Sequence, residues 1–212
     1  HNTWYTKHFS ICNTDTPWKE KIEKVFWRGR DSRRERLDLI DISRKYPDLF
    51  NVAITNFFFF KDEMDKYGPE QSHVITLQYK YQLCIDGTVA AYRLPYLLAG
   101  DALLLKQESK YYEFFYNNLV PGKHYISVKR DLSDLVEKIM WAKEHDQKVL
   151  QIVKSARQFA RDNLLPDNVL CYHVVLFHVR NSCKSYADST SFIFYLNIYH
   201  RITCLFYISG ME

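Results

Sequence analysis

Two short segments of this chain combine glycine, arginine and the predicted start of a helix, a combination that can bind anions. In the segment nearer the middle of the chain, the apolar residues 82–85 predict a buried strand that stops at an Asp-Gly turn. A helix that begins near Ala90 would point free backbone N–H groups at an anion, and Arg93 would add a guanidinium. Pro95 fits the first turn of such a helix. The predicted chemistry of this segment is the binding of a diphosphate.

The second segment holds five arginines among the nine residues 28–36. The Ser and Glu of residues 32–35 have the spacing of a capping box, so we predict a helix from Arg33 onward. Arg30 and Arg36 would then flank the start of this helix, and the glycine between the first two arginines would permit the close approach of a phosphate.

Three interpretations of the arginine-rich segment stay open. A solvated basic helix face is the commonest reason for such a run of charge. Nucleic-acid binding is the least favoured, because no stacking aromatic side chains are interleaved with the arginines and the net charge of the chain is only +4. A phosphate site is the third, and it agrees with the chemistry predicted for the first segment.

Strands and helices alternate along the chain with short links between them. Short apolar runs predict five strands, at residues 25–27, 51–55, 82–85, 102–106 and 124–128. Amphipathic spacing predicts two long scaffold helices, one capped by residues 131–134 and one over residues 147–163. This alternation predicts an α/β fold in which a parallel sheet is covered by helices on both sides.

Glu108 follows directly after the predicted strand 102–106. Ligands of parallel sheets bind beyond the carboxyl ends of the strands, so this carboxylate is placed to contact a sugar or ribose hydroxyl. An ordinary acidic residue on the surface explains it equally well.

The sequence lacks the characteristic motifs of several enzyme classes. GxGxxG, GxxxxGK[ST] and GxSxG are absent, which disfavours nicotinamide or flavin enzymes, P-loop NTPases and α/β-hydrolases. The five cysteines show no metal-ligand spacing, and Cys84, within a predicted buried strand, is interpreted as an inert core thiol. His173 and His178 are five residues apart, which does not place them on one helix face as a zinc pair would be. We therefore predict no metal site and no cofactor.

Four longer motifs carry a resemblance to a known family. They are Trp27-Arg28-Gly29-Arg30-Asp31-Ser32, residues 55–60, residues 85–97 and residues 111–116. In this order they resemble the protein O-glucosyltransferases, and among these the KDEL-motif-containing members, which are kin to fungal capsule-associated transferases. The resemblance runs from about Pro17 to Phe177.

The resemblance implies the C-terminal, nucleotide-sugar-binding domain of a GT-B glycosyltransferase, with a Rossmann-like parallel sheet and flanking helices. It implies that UDP-glucose or UDP-xylose donates its sugar, with inversion, to a serine of an EGF-like repeat and without an essential metal. Arginines and helix N-termini can replace a cation at the departing diphosphate. The donor-binding positions implied are Arg30, Arg36, Thr88, Val89, Ala90, Ala91, Tyr92 and Arg93.

The same resemblance implies that no residue of this chain is the catalytic base, because the family's catalytic aspartate lies in an N-terminal domain. We interpret residues 1–16 as an irregular remnant of that domain, residues 17–179 as the donor-binding domain and residues 180–212 as a divergent apolar tail. The resemblance implies the lumen of the endoplasmic reticulum, although neither a signal peptide nor a retention tetrapeptide is recognised in the sequence.

Residues 191–209 of the tail are apolar enough to suggest a membrane span. Asn197, His200 and Arg201 lie within this segment, however, and a central arginine costs roughly 2.5–3.5 kcal/mol on insertion scales. A membrane span is therefore not favoured.

Two functional hypotheses follow from the sequence. The first is the donor-binding part of a glycosyltransferase, inactive by itself because the catalytic base is elsewhere. The second is a non-catalytic module that binds a nucleotide or another protein.

Overall fold

The structure, a computed structural model, describes residues 16–68 and 78–182 of the 212-residue chain, with side chains described as far as residue 177. The chain divides into two compact units, residues 1–160 and 161–212. The predictions made for residues 1–15 and for the apolar segment 191–209 lie outside the described residues. No helix in the described ranges has the length and apolar character needed to cross a membrane.

The first unit is built on a parallel sheet of five strands in the order β2-β1-β3-β4-β5. The strands are β1 Ile22–Gly29, β2 Phe50–Ile54, β3 Tyr79–Cys84, β4 Leu103–Gln107 and β5 Ile126–Val128. All four neighbouring pairs are parallel. The predicted strands are confirmed, with ends that differ by three residues or fewer.

The helices among the described residues are α1 Arg34–Lys45, α2 Met64–Tyr67, α3 Leu94–Ala99, α4 Leu135–Glu144, α5 Asp146–Asn163 and α6 Pro166–Ser182. In the first unit, strands and helices alternate as predicted. The two predicted scaffold helices correspond to α4 and α5.

One apolar cluster holds α1 and α4 against the sheet. The inner strand β4 contributes Leu103 and Leu105, α1 contributes Leu37, and α4 contributes Leu135 and Ile139, all fully buried. Inner strands of a parallel sheet are covered on both faces, which explains the continuous apolar run of β4. Burial of each such side chain stabilises the fold by about 1.5–3 kcal/mol.

The strand order reverses between β1 and β3. β2, the next strand along the chain, pairs with one edge of β1. β3 pairs with the opposite edge of β1, and β4 and β5 then follow in order in that direction. In open α/β sheets, ligands bind in the crevice beyond the carboxyl ends of the strands at such a reversal. For this sheet the crevice lies beyond Gly29 and Cys84.

Two local predictions are wrong. The capping box at residues 32–35 does not form: α1 begins at Arg34, its N-cap is Arg33 in an extended conformation, and no side chain caps it. The helix predicted near Ala90 begins four residues later, at Leu94, so residues 88–93 are a loop. Pro95 lies in the first turn of this helix, where its missing backbone N–H costs no hydrogen bond and its fixed φ suits the helix.

Candidate functional site

The side chain of Arg36 lies at the strand reversal and joins the two segments that follow β1 and β3. Its guanidinium donates to the carbonyl oxygens of Arg30 (2.8 Å), Ile85 (3.0 Å) and Asp86 (2.9 Å). The residue is 5% exposed. The five N–H donors of a guanidinium suit such a role, because one planar group can satisfy carbonyls from two different loops.

Burial, together with the nearby positive charges of Arg93 and Arg30, lowers the pKa of Arg36 to about 10. Like charges within a few ångströms of one another repel, and this repulsion is relieved when an anion binds among them. Burial is the main cause of the lowered pKa of Arg36, and the charges of Arg93 and Arg30 add to it.

Both glycines of the predicted anion-binding segments pack against the Arg36 guanidinium. A Cβ built on Gly29 would lie 2.6 Å from the Trp27 ring and 3.1 Å from Nη1 of Arg36. A Cβ on Gly87 would lie 3.3 Å from Nη2 of Arg36. The prediction that Gly29 makes room for a phosphate is corrected: it makes room for a tryptophan ring and an arginine of the same chain.

Arg93 lies beside Arg36 over the same aromatic ring. The Cζ atoms of Arg36 and Arg93 are 5.3 and 6.0 Å from the centroid of the Trp27 ring. Nη1 of Arg93 also donates to the carbonyl oxygen of Arg28. Burial lowers the pKa of Arg93. Unlike Arg36, Arg93 is only partly buried.

The loop 88–93 leaves six consecutive backbone amides without an acceptor among the described residues. The turn before it is closed by a hydrogen bond from the amide of Gly87 to the carbonyl of Val89 (2.8 Å). Val89 and Tyr92 are 59% and 69% exposed, so the loop faces solvent. Successive free amides next to arginine side chains are the components of an anion-binding concavity.

Arg30 and Arg33 occupy different places around this loop. Arg30 is exposed, and its Cζ lies 5.7 Å from the centroid of the Phe58 ring. Arg33 donates from Nε to the carbonyl of Gly87 and from Nη2 to the hydroxyl of Tyr111 (2.9 Å). Arg33 therefore fixes the loop, whereas the side chain of Arg30 remains open to a ligand.

Asp31 organises the loop that follows β2. Its fully buried carboxylate accepts hydrogen bonds from the backbone amides of Phe58, Phe59 and Phe60 at 2.7–2.9 Å. The turn thereby exposes the rings of Phe58 and Phe59, at 56% and 60%. Of the four phenylalanines in this run, the first alone belongs to the buried core.

Glu108 lies beyond the carboxyl end of β4, one strand away from the reversal. It lines a cavity of about 170 Å³ together with Lys106, Tyr112 and Tyr116. Lys106 is 9% exposed, and burial lowers the pKa of its ammonium. The structure thus places the predicted carboxylate in a cavity next to the arginines and not among them.

Four residues that matter to this geometry were missed by sequence reasoning: Trp27, Asp31, Arg33 and Lys106. Lys106 had a recognisable signal, because it is the one charged residue in the inner strand β4, directly after three leucines. Asp31 had none, because the amides that it binds are 27–29 residues further along the chain. Cys84 is buried and free, and its pKa is raised to about 11 by burial, which confirms that it is a core thiol.

In chemical terms the site can bind an anion through arginine side chains and free amides. Within residues 16–68 and 78–182, no cluster of three histidine, cysteine, aspartate or glutamate side chains could hold a metal ion. The absence of an essential metal remains a prediction.

Known proteins similar to this chain were found by sequence and by structure. The chain is 53% identical over 168 residues to protein O-glucosyltransferase 2 of Danio rerio, covering 78% of this chain and 34% of that protein. It is 48% identical over 163 residues to protein O-glucosyltransferase 3 of Homo sapiens, covering 76% and 32%. The chain therefore spans about a third of the length of these relatives.

Among solved structures, TarM matches with a TM-score of 0.56 at 14% identity, covering 77% of this chain and 36% of that one. This likeness bears on the fold alone. The predicted fold class, an α/β fold with a Rossmann-like parallel sheet and flanking helices, is confirmed. The sequence model of glycosyl transferase family 90 matches residues 2–188, and the chain belongs to that family.

Proposed function

We propose that this chain is the donor-binding part of a protein O-glucosyltransferase and that it binds the diphosphate of a UDP-sugar at the strand reversal. The observation that carries the proposal is the convergence of Arg36 and Arg93 beside a loop of free amides, at the edge of the sheet where α/β folds bind ligands. Similarity to protein O-glucosyltransferases 2 and 3 supports a sugar donor and a protein acceptor.

The residues of the site divide into two roles. Arg36, whose N–H groups already hold three carbonyls, fixes the positions of the two loops and adds a permanent positive charge. Arg30, Arg93 and the amides of residues 88–93 are the groups that contact the phosphates. As the bond between sugar and diphosphate breaks, negative charge grows on the departing UDP, and fixed donors stabilise it without reorganising.

The acceptor in this proposal is a serine of an EGF-like repeat, the donor is UDP-glucose or UDP-xylose, and the place of action is the lumen of the endoplasmic reticulum. The base that deprotonates the serine is supplied by an N-terminal domain. The chain by itself therefore binds donor and transfers nothing.

Calorimetric titration of the 212-residue chain with UDP, UDP-glucose, UDP-xylose and uridine tests the proposal. UDP and the UDP-sugars are expected to bind much more tightly than uridine, which lacks the diphosphate, and EDTA is expected to change nothing. Equal binding of UDP and uridine, or preferential binding of an oligonucleotide, would contradict it.

A non-catalytic module that binds a nucleotide or another protein is the second candidate. A transfer assay on a purified EGF-like repeat compares the chain with a full-length relative. Transfer by the relative and none by the chain is the expected result, and turnover by the chain itself would show that its own residues supply the base.

A further inference from the structure

Trp27 is a buried aromatic residue of β1 that lies under the two arginines of the site. The residue is 1% exposed, and the Cζ atoms of Arg36 and Arg93 lie over its ring at 5.3 and 6.0 Å from the centroid. The face of an aromatic ring carries partial negative charge and attracts cations. One ring therefore interacts favourably with two positive charges that repel each other.

The indole N–H of Trp27 has no hydrogen-bond acceptor within the described residues. A buried donor without an acceptor destabilises a fold, and a phenylalanine would bury an aromatic ring here without that penalty. Burial alone therefore does not explain the indole. Tryptophan has the strongest cation-binding face of the aromatic side chains, and two guanidinium groups lie over this one. The unpaired N–H thus accompanies a ring that is suited to binding cations.

The two arginines differ in what else fixes them. Three carbonyls hold the donors of Arg36, so this side chain keeps its place without the ring. Arg93 has one hydrogen bond within the described residues, to the carbonyl of Arg28, and is partly exposed. After burial, the charge of Arg93 is the next cause that lowers the pKa of Arg36, so the two guanidinium groups are close enough to repel. Without an attraction to the ring, this repulsion would turn Arg93 toward solvent.

We propose that Trp27 is a positioning residue of the diphosphate site: its indole face holds the guanidinium of Arg93 beside Arg36 before an anion arrives. The anion then meets two guanidinium groups that are already in place, and binding does not have to order a free side chain. Trp27 acts through Arg93 and contacts no ligand itself, because it is buried beneath the arginines. The inference rests on the proposed function, in which Arg93 contacts the phosphates.

Replacing the indole at position 27 of the 212-residue chain with its mono-, di- and trifluorinated forms tests this role. Fluorine withdraws electron density from the face of the ring and leaves its shape and packing nearly unchanged. The affinities for UDP and for inorganic pyrophosphate, measured by calorimetric titration, are expected to fall stepwise with each fluorine, by about fivefold to tenfold in all. A ring that acts by packing alone would leave both affinities unchanged, and that result would overturn the proposal.

The same replacements at Trp18 are the matched control. Trp18 also carries a cation, since Nζ of Lys80 lies 5.2 Å from its ring centroid. It precedes the amino end of β1, however, and the site lies beyond the carboxyl end of that strand. Fluorination of Trp18 should therefore leave both affinities unchanged. An equal loss at the two positions would show a general effect on the fold and would refute the assignment of Trp27.

The fluorinated series in the Arg93→Ala chain shows whether the ring acts through Arg93. In this chain, fluorination of Trp27 should no longer change the affinity for UDP, because the carbonyls alone fix Arg36. A stepwise fall that persists in this variant would refute the route through Arg93. Failure of the unmodified chain to bind either UDP or pyrophosphate would instead overturn the proposed function, and the inference with it.

Discussion

The guanidinium groups of Arg36 and Arg93 lie over one indole ring, that of Trp27, with Cζ atoms 5.3 and 6.0 Å from its centroid. Arg36 comes from the helix after β1, and Arg93 precedes the helix after β3. Two positive side chains, one from the segment after each of the two strands at the reversal, thus pack on the same indole ring. Their functions differ, because the N–H donors of Arg36 are occupied by three protein carbonyls, whereas the side chain of Arg93 is partly exposed to solvent.

Replacing Arg93 with alanine should weaken UDP binding by roughly 1.5–3 kcal/mol, the usual contribution of a hydrogen bond to a charged group. Calorimetric titration measures the change. Arg44→Ala is the control, because this substitution also removes one positive charge but lies in the last turn of α1, at the opposite end of that helix from the site. Equal affinities of the Arg93 variant and the unmodified chain would remove Arg93 from the site.

Replacing Arg36 with lysine should lower the free energy of unfolding by about 2–4 kcal/mol, because one ammonium cannot reach the three carbonyls that the planar guanidinium holds. Urea denaturation followed by circular dichroism measures it. Arg93→Lys, examined in parallel, should have a much smaller effect. A stable Arg36 variant that no longer binds UDP would instead make Arg36 a direct ligand contact.

Replacing Asp31 with alanine should cost about 2–4 kcal/mol of stability, because three backbone amides lose their common buried acceptor. Thermal denaturation compares it with Asp62→Ala, in which an exposed carboxylate after the same loop is removed. A stability loss no greater than that of the control would show that water replaces the carboxylate at these amides.

The stability of the chain should decrease as the pH falls below about 6.5, in part because of His124. Burial, and to a smaller degree Lys123, lowers the pKa of His124 below its ordinary value of 6.5. Its Nδ1 accepts a hydrogen bond from the amide of Val120 (3.0 Å), which requires the neutral ring. The unfolded chain therefore binds the proton more readily than the folded chain. The free energy of unfolding consequently decreases as the pH decreases in this range.

Urea denaturation between pH 8 and pH 5 measures this dependence. His124→Gln, which does not titrate, should flatten it, whereas His173→Gln, at an exposed position of α6, should leave it unchanged. The same slope in the His124 variant and the unmodified chain would assign the pH dependence to other groups.

The sequence by itself determined the alternation of strands and helices and hence the parallel sheet. Apolar runs such as 102–106 can be buried only as inner strands, and this information is local. The sequence also singled out the segments that hold Arg36 and Arg93, because glycine and arginine next to a strand end form a local pattern.

Only the tertiary structure decided what these arginines contact. The carbonyls that Arg36 holds lie in two loops, one of them about fifty residues away, so no spacing could reveal that its donors are occupied. The same holds for Asp31, whose carboxylate binds amides 27–29 residues further along the chain. Hydrogen bonds between remote loops depend on how the sheet brings its carboxyl ends together, and that arrangement is a property of the whole fold.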